Sequence, residues 1–305
     1  MFDIAYRNSK KARNTMVDAL EAYFTAGYDT SGDKGSDNHI ASLTVDMAAM
    51  QRQYGFTTRE IAATYVIVVH ASLANVAPTL FWCVAYVFSR PSLLAQLRDE
   101  LRAALTIEGK TAFVDADWIQ SKCPLLVSVL NETQRLVSIG TLHRQILDDT
   151  TVSANSNKNQ VQSWLLKKGT NLLISQTSAH RDPGIWGLNA SEFDANRFLE
   201  TQQSTTDKSS DEGLRKSAYY PFGGGKDRCP GRYFATTELL GSMAVLFSGY
   251  DITAVGGGPI SQPEFGACKL TTDTARPHPD ADLRVRVERR KGWEEVSWKV
   301  KNNSA

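Results

Sequence analysis

Residues 221–235 read PFGGGKDRCPGRYFA. Gly223, Gly224 and Gly225 remove the Cβ from three consecutive positions and open the φ > 0 region, so the backbone there can approach a flat, bulky ligand closely. Pro230 and Gly231 shape the exit into RYFATTELLGSMAVLF, whose apolar spacing is helical. Cys229 therefore stands at a helix N-terminus, where the dipole and free N–H groups complement negative charge on sulfur. A thiolate so placed can ligate iron, act as a nucleophile, or do neither. The loop by itself leaves all three open.

The bulk composition narrows the field. At 305 residues the chain has room for one large domain or two ordinary ones, with a sizeable core. It is 42% hydrophobic and 22% charged with a formal net charge of +1, which gives no basic stripe for nucleic acid and no acidic tail. Cys83, Cys123, Cys229 and Cys268 lie far apart with no CxxC pair. They read neither as a disulfide framework nor as a zinc site, as expected in a reducing compartment. No secretory signal is read at the start of the chain. Residues 61–88 form the long apolar run, sufficient to span a bilayer. His70, Ser72, Asn75 and Pro78 cluster at its middle, where lipid would penalise them, so a helix buried in a large soluble domain is the expectation.

Helices dominate the first half, at residues 10–26, 38–53, 91–105 and from Pro124 onward, and Thr57, Thr58 and Glu60 cap the long apolar helix. After Gly140 the runs HRQILDD, QVQSWLLKKG and NLLIS predict a small sheet, and further strands are expected near 283–288 and 294–300. Residues 201–213, TQQSTTDKSSDEG, read as a polar surface loop. The class is mainly α with small β-sheets.

The spacing Phe222-x-x-Gly225-x-x-x-Cys229-x-Gly231 resembles the haem-binding loop of the cytochrome P-450 family, the haem-thiolate monooxygenases. Two further matches occur in the family's order: Glu132-x-x-Arg135 on a predicted helix, where i and i+3 share a face, and HRDPGIWGLNASEFDANRF from His180. The resemblance covers the chain from about residue 57 to its end. It implies one partial cytochrome P-450 domain over 1–305, N-terminally incomplete, with 222–231 as the haem-binding cysteine loop. By the same resemblance Cys229 is the axial ligand of haem b (iron protoporphyrin IX), with Phe222, Gly225, Arg228 and Gly231 around it. Glu132, Arg135 and Arg197 then form a salt-bridged triad behind the haem. The implied reaction takes dioxygen and two electrons, from NADPH through a reductase, and inserts one oxygen atom into an apolar small-molecule substrate. Full-length relatives are expected at the cytosolic face of the endoplasmic reticulum membrane. This chain, read as lacking their anchor and much of the pocket roof, is expected to be cytoplasmic and to bind haem weakly.

Two departures from the family pattern carry information. On the oxygen-side helix the usual acid and alcohol are replaced by Ala74 and Asn75 in ASLAN. This stretch is similar to the sterol 7α-hydroxylase and prostacyclin synthase branch, which implies a sterol- or lipid-like substrate, a catalytic role for Asn75, and distal contacts from Ala71, Asn75 and Thr79. It also leaves a peroxide isomerase needing no reductase as an alternative, beside a truncated haem-binding remnant without catalysis. The alternative reading of Asn75 is a polar residue capping a proline-induced break in the helix, which does not exclude a role beside the haem. In the cysteine loop, Asp227 stands where relatives often carry a basic residue. A carboxylate there would repel a haem propionate, so Asp227 is expected to point away while Arg144 or Lys226 supplies positive charge.

Overall fold

Proline and leucine spacing set the helical frame. Pro91 occupies the first turn of its helix, where a missing N–H costs nothing, and Leu93, Leu97 and Leu101 recur every fourth residue to give one buried stripe. Pro124 opens a second helix in the same way, and Glu100 accepts the N–H groups of Leu125 and Leu126 at 2.9 Å each, which satisfies two donors of that helix start. The computed structural model describes residues 2–30, 41–155, 161–199, 210–266, 273–278, 280–281 and 284–301. Cys268 and residues 201–209 of the expected polar loop lie outside them.

Two compact units divide the chain between Ala74 and Asn75. The first holds α1 (Phe2–Thr25), α2 (Ser42–Gln53) and α3 (Thr58–Ala74) around Val17, Phe24, Ala48, Ile61 and Ala62. The expected capping box is present: Thr57 N–H and hydroxyl both reach Glu60 Oε2, at 2.8 and 2.7 Å.

The second unit begins with α4 (Val76–Phe88), followed by α5 (Pro91–Arg102), α6 (Ala116–Lys122) and α7 (Pro124–Val137). After the short α8 (Gln176–His180) and α9 (Pro183–Trp186) come α10 (Ser210–Ala218) and the long α11 (Arg232–Gly249). Its core joins Cys83 and Val87 of α4, Leu97 and Leu101 of α5, Ile119 of α6, Leu126 and Val129 of α7, and Leu240, Met243 and Phe247 of α11. Each such side chain contributes roughly 1.5–3 kcal/mol by leaving water. Cys83 and Cys123 are buried as expected, and burial pushes both thiols up to about 12.

The sheets are small. Hairpin β1 (Leu105–Glu108) and β2 (Thr111–Asp115) takes β9 (Ser297–Lys301) in parallel beside β2, with Thr111 next to Ser297. Antiparallel pairs are formed by β3 (Thr141–Gln145) with β6 (Asn171–Ser175), β4 (Thr150–Asn155) with β5 (Val161–Leu166), and β7 (Tyr250–Ala254) with β8 (Val285–Arg289).

Three expectations are corrected. The apolar run is not one buried helix: it breaks at Asn75 (φ −109°, ψ −32°), because Pro78 has no N–H to offer the carbonyl of Ala74. Its second half is the more buried, with Trp82, Cys83 and Ala85–Phe88 inside, whereas in α3 Ile61 and Ala62 are buried but Ile67 and Leu73 are 66% and 57% exposed. By length and composition Thr58–Phe88 also suffices to cross a membrane. Residues 210–213 open helix α10 and are not loop.

Gly249 marks where α11 meets β9. A Cβ there would lie 2.5 Å from Trp298 Cζ2, whereas one at Gly241 would meet Val300 at an ordinary 3.8 Å. Gly249→Ala is expected to cost about 1–3 kcal/mol and Gly241→Ala close to nothing. Urea unfolding midpoints of the two variants check this.

Candidate active site

Helix α7 is buried almost all round, and it carries two charges into the interior. Glu132 and Arg135 share a face at i and i+3 and pair bidentately, Nε to Oε2 at 2.7 Å and Nη2 to Oε1 at 2.8 Å, both side chains wholly buried. Arg197 Nε adds a third bond to Glu132 Oε1 at 3.0 Å, and the Asp194 N–H a fourth at 3.1 Å. The remaining guanidinium donors are spent on carbonyls: Arg135 on those of His180 and Ala190, Arg197 on those of Trp186 and Asn189. Trp186 lies under Arg135, 5.1 Å from its ring centroid. The structure thus brings together the three residues expected to form the triad.

His180 extends this network toward the cysteine loop. Its Nε2 accepts the Tyr220 N–H at 3.1 Å, so the neutral ring carries its proton on Nδ1. Burial pushes the imidazole down to about 4, and Nδ1 has no partner among the described residues. Gln176 Nε2 donates to the Tyr220 carbonyl at 2.8 Å, and the Tyr220 hydroxyl donates to the Ser175 carbonyl at 3.1 Å. The backbone entering the loop is therefore held on its N–H, its carbonyl and its side chain. In the sequence His180 stood only as the first letter of HRDP; its role depends on a backbone N–H forty residues downstream.

The loop closes on itself through the Cys229 N–H, which donates to the Phe222 carbonyl at 2.9 Å. Gly223 and Gly225 adopt φ of +73° and +69°, which side chains resist, and a Cβ on Gly223 would sit 3.2 Å from Leu142. Residues Gly225–Asp227 make a 3₁₀ turn, and Gly231 caps α11. Cys229 is half-buried, Phe222 likewise, and Arg228 is exposed. Arg144 on β3 reaches across: Nη2 donates to the Gly224 carbonyl at 2.6 Å and Nη1 lies 3.8 Å from Asp227 Oδ2. Asp227 does not stand alone: Lys226 also approaches it at 3.3 Å. The two cations expected to supply free positive charge both face this carboxylate instead.

Asn75 and Thr79 sit at the start of α4. Asn75 Oδ1 accepts from the Asp273 N–H at 3.1 Å and the Thr274 hydroxyl at 3.2 Å. An amide N–H can only donate, which fixes the carboxamide orientation and leaves Nδ2 without a partner among the described residues. Thr79 hydroxyl is turned back onto the Asn75 carbonyl at 2.7 Å and buried. Ala71 belongs to α3 in the first unit and is exposed.

The family model for Cytochrome P450 matches residues 1–274. The chain belongs to the cytochrome P450 family. The match reaches back through α1 and α2, further than the motifs in the sequence reach. Among curated proteins, a cytochrome P450 monooxygenase of Gibberella zeae is 31% identical over 96% of this chain and 55% of its own length. A 25-hydroxycholesterol 7-alpha-hydroxylase of Rattus norvegicus is 28% identical over 80% of this chain and 57% of its own. A crystal structure of a cytochrome P450 superposes with a TM-score of 0.63 at 20% identity, over 94% of this chain and 57% of that one, which shows the P450 fold. The chain spans a little over half the length of these relatives.

The P450 loop fits a porphyrin on its own terms. A sulfur donor, three residues without Cβ and an arginine on the adjoining strand converge there, and nothing lies within 4 Å of the Cβ position of Gly224. Among the described residues no cluster of three or more His, Cys, Asp or Glu side chains offers a competing metal site.

Two outcomes follow for this P450. Glu132→Gln removes the charge that two buried guanidinium groups share, and is expected to cost about 3–5 kcal/mol; thermal unfolding of the soluble fraction measures it. Below pH ~6.5 an unfolded histidine gains a proton that folded His180 refuses until about 4. Its contribution is therefore lost as pH falls through that window, by up to about 1.4 kcal/mol per unit. His180→Gln should flatten that part of the stability–pH curve relative to the unmodified chain.

Proposed function

We propose that this chain provides the cysteine-ligated haem site of a monooxygenase that inserts one atom of dioxygen into an apolar, sterol- or lipid-like substrate. The observation that carries the reading is the Cys229 loop, closed on Phe222, free of Cβ at three positions and anchored through Tyr220 to a buried charge network. Family membership supports the chemistry, and the 7-alpha-hydroxylase relative supports the substrate class. The family match over residues 1–274 supports reading both units as one partial domain.

The chain's residues have distinct tasks. Cys229 would hold the haem iron, with Phe222, Gly225, Arg228 and Gly231 lining its loop and Arg144 facing the porphyrin edge. Bound there, the haem would supply dioxygen activation, drawing electrons from NADPH through a reductase. Glu132, Arg135 and Arg197 hold the loop in register and do not touch the reacting atoms. Asn75 offers its Nδ2 protons as hydrogen-bond donors toward oxygen or substrate, and it is not acidic enough to deliver a proton itself. A membrane-associated setting suits so apolar a substrate.

The test is a reduced, carbon-monoxide-bound absorption spectrum of the chain reconstituted with haem. A Soret band at the thiolate-ligated position, abolished by Cys229→Ala, is the expected result. Haem uptake with the same spectrum in both proteins would overturn the assignment. Turnover of a hydroperoxide without NADPH would convert the reading from monooxygenase to isomerase.

A further inference from the structure

Arg144 is the cation that β3 presents to the cysteine loop, and two of its donors are already engaged. Nη2 donates to the Gly224 carbonyl at 2.6 Å, and Nη1 donates to the carbonyl of His143 at 2.7 Å while facing Asp227 Oδ2 at 3.8 Å. The only other cation on Asp227 among the described residues is Lys226, whose side chain is 91% exposed and therefore well screened by water. Arg144, 32% exposed, is the less solvated of the two and the one fixed by two carbonyls.

We propose that Asp227 is an intramolecular competitor for Arg144, placed so that the loop weakens its own hold on the carboxylates of a bound porphyrin. The inference rests on the haem-site reading above. Gly225 lies beside the pair: its Cβ position is 3.6 Å from Arg144 Nη2, an ordinary contact distance, so the guanidinium is not crowded there. The φ of +69° is what favours glycine at this position. A carboxylate entering beside Arg144 meets a cation whose field is partly cancelled by Asp227. The pair is partly exposed, so the effect is a modulation and not a switch, worth about two- to five-fold in affinity. Because Asp227 stands two residues from Cys229, its charge also disfavours adding an electron to a metal held by that sulfur.

The test uses the full chain reconstituted with haem and reads the rate of haem loss to a scavenging apoprotein, together with the reduction potential. Asp227→Asn is expected to slow haem loss about two- to five-fold and to shift the potential to more positive values, while Asp227→Glu behaves as the unmodified chain. In an Arg144→Ala background the Asp227→Asn change should no longer affect haem loss. Faster loss in Asp227→Asn would make Asp227 a stabiliser of the loop and overturn the proposal, as would a full effect persisting without Arg144. If the unmodified chain takes up no haem through Cys229, the haem-site reading itself falls and this inference with it. Uptake with equal loss rates in the two proteins sinks this inference alone.

Discussion

A single carboxylate, Glu132, sits with no exposure to water at the centre of the second unit. Burying that charge costs several kcal/mol unless it is fully paired, and here four donors converge on its two oxygens. The pairing demands that α7 and the segment carrying Asp194 and Arg197 meet in one arrangement. Neither arginine can drift, because each spends its remaining donors on carbonyls of residues 180–192. The network is weak evidence for stability, since an apolar core of equal volume could do as well. Its consequence is positional.

Position is transmitted by hydrogen bonds that name their partners. The carbonyl of His180 belongs to Arg135 and its ring to the Tyr220 N–H. Two residues beyond Tyr220, the Phe222 carbonyl receives the N–H of Cys229. A second line runs from Asn75, whose carboxamide oxygen accepts the Asp273 N–H and the Thr274 hydroxyl; that segment in turn bonds to the end of α7 through Ile139 N–H to the Asp273 carbonyl and Ala275 N–H to the Val137 carbonyl, both at 2.8 Å. One helix therefore orders both the cysteine loop and the turn where α4 begins. A loop held this way has its backbone around Cys229 fixed by partners outside the loop.

Much of this was legible in the sequence, and the rest was not for identifiable reasons. The glycines and Cys229, the Glu132–Arg135 spacing and the prolines at the starts of α5 and α7 are local signals, and NLLIS became β6 residue for residue. The hairpin at 105–115 and the seven-residue α6 escaped notice because their periods are short and one partner of that sheet, β9, arrives from the far end of the chain. The break at Asn75 could be suspected from Pro78, yet the use of its carboxamide by residues 273 and 274 could not. Asp227 was expected to turn away; it is met by Arg144, which β3 supplies from eighty residues upstream of the loop carbonyl it holds. Side-chain roles that depend on long-range partners leave no mark at a single position.

The central claim is that this scaffold exists to present Cys229 sulfur to iron. X-ray absorption at the iron edge of the haem-reconstituted chain tests it most directly, because it counts the sulfur neighbours of the metal. One sulfur scatterer at bonding distance, lost in Cys229→Ala, is the result the account predicts. A first shell of nitrogen and oxygen alone in the unmodified chain would contradict it.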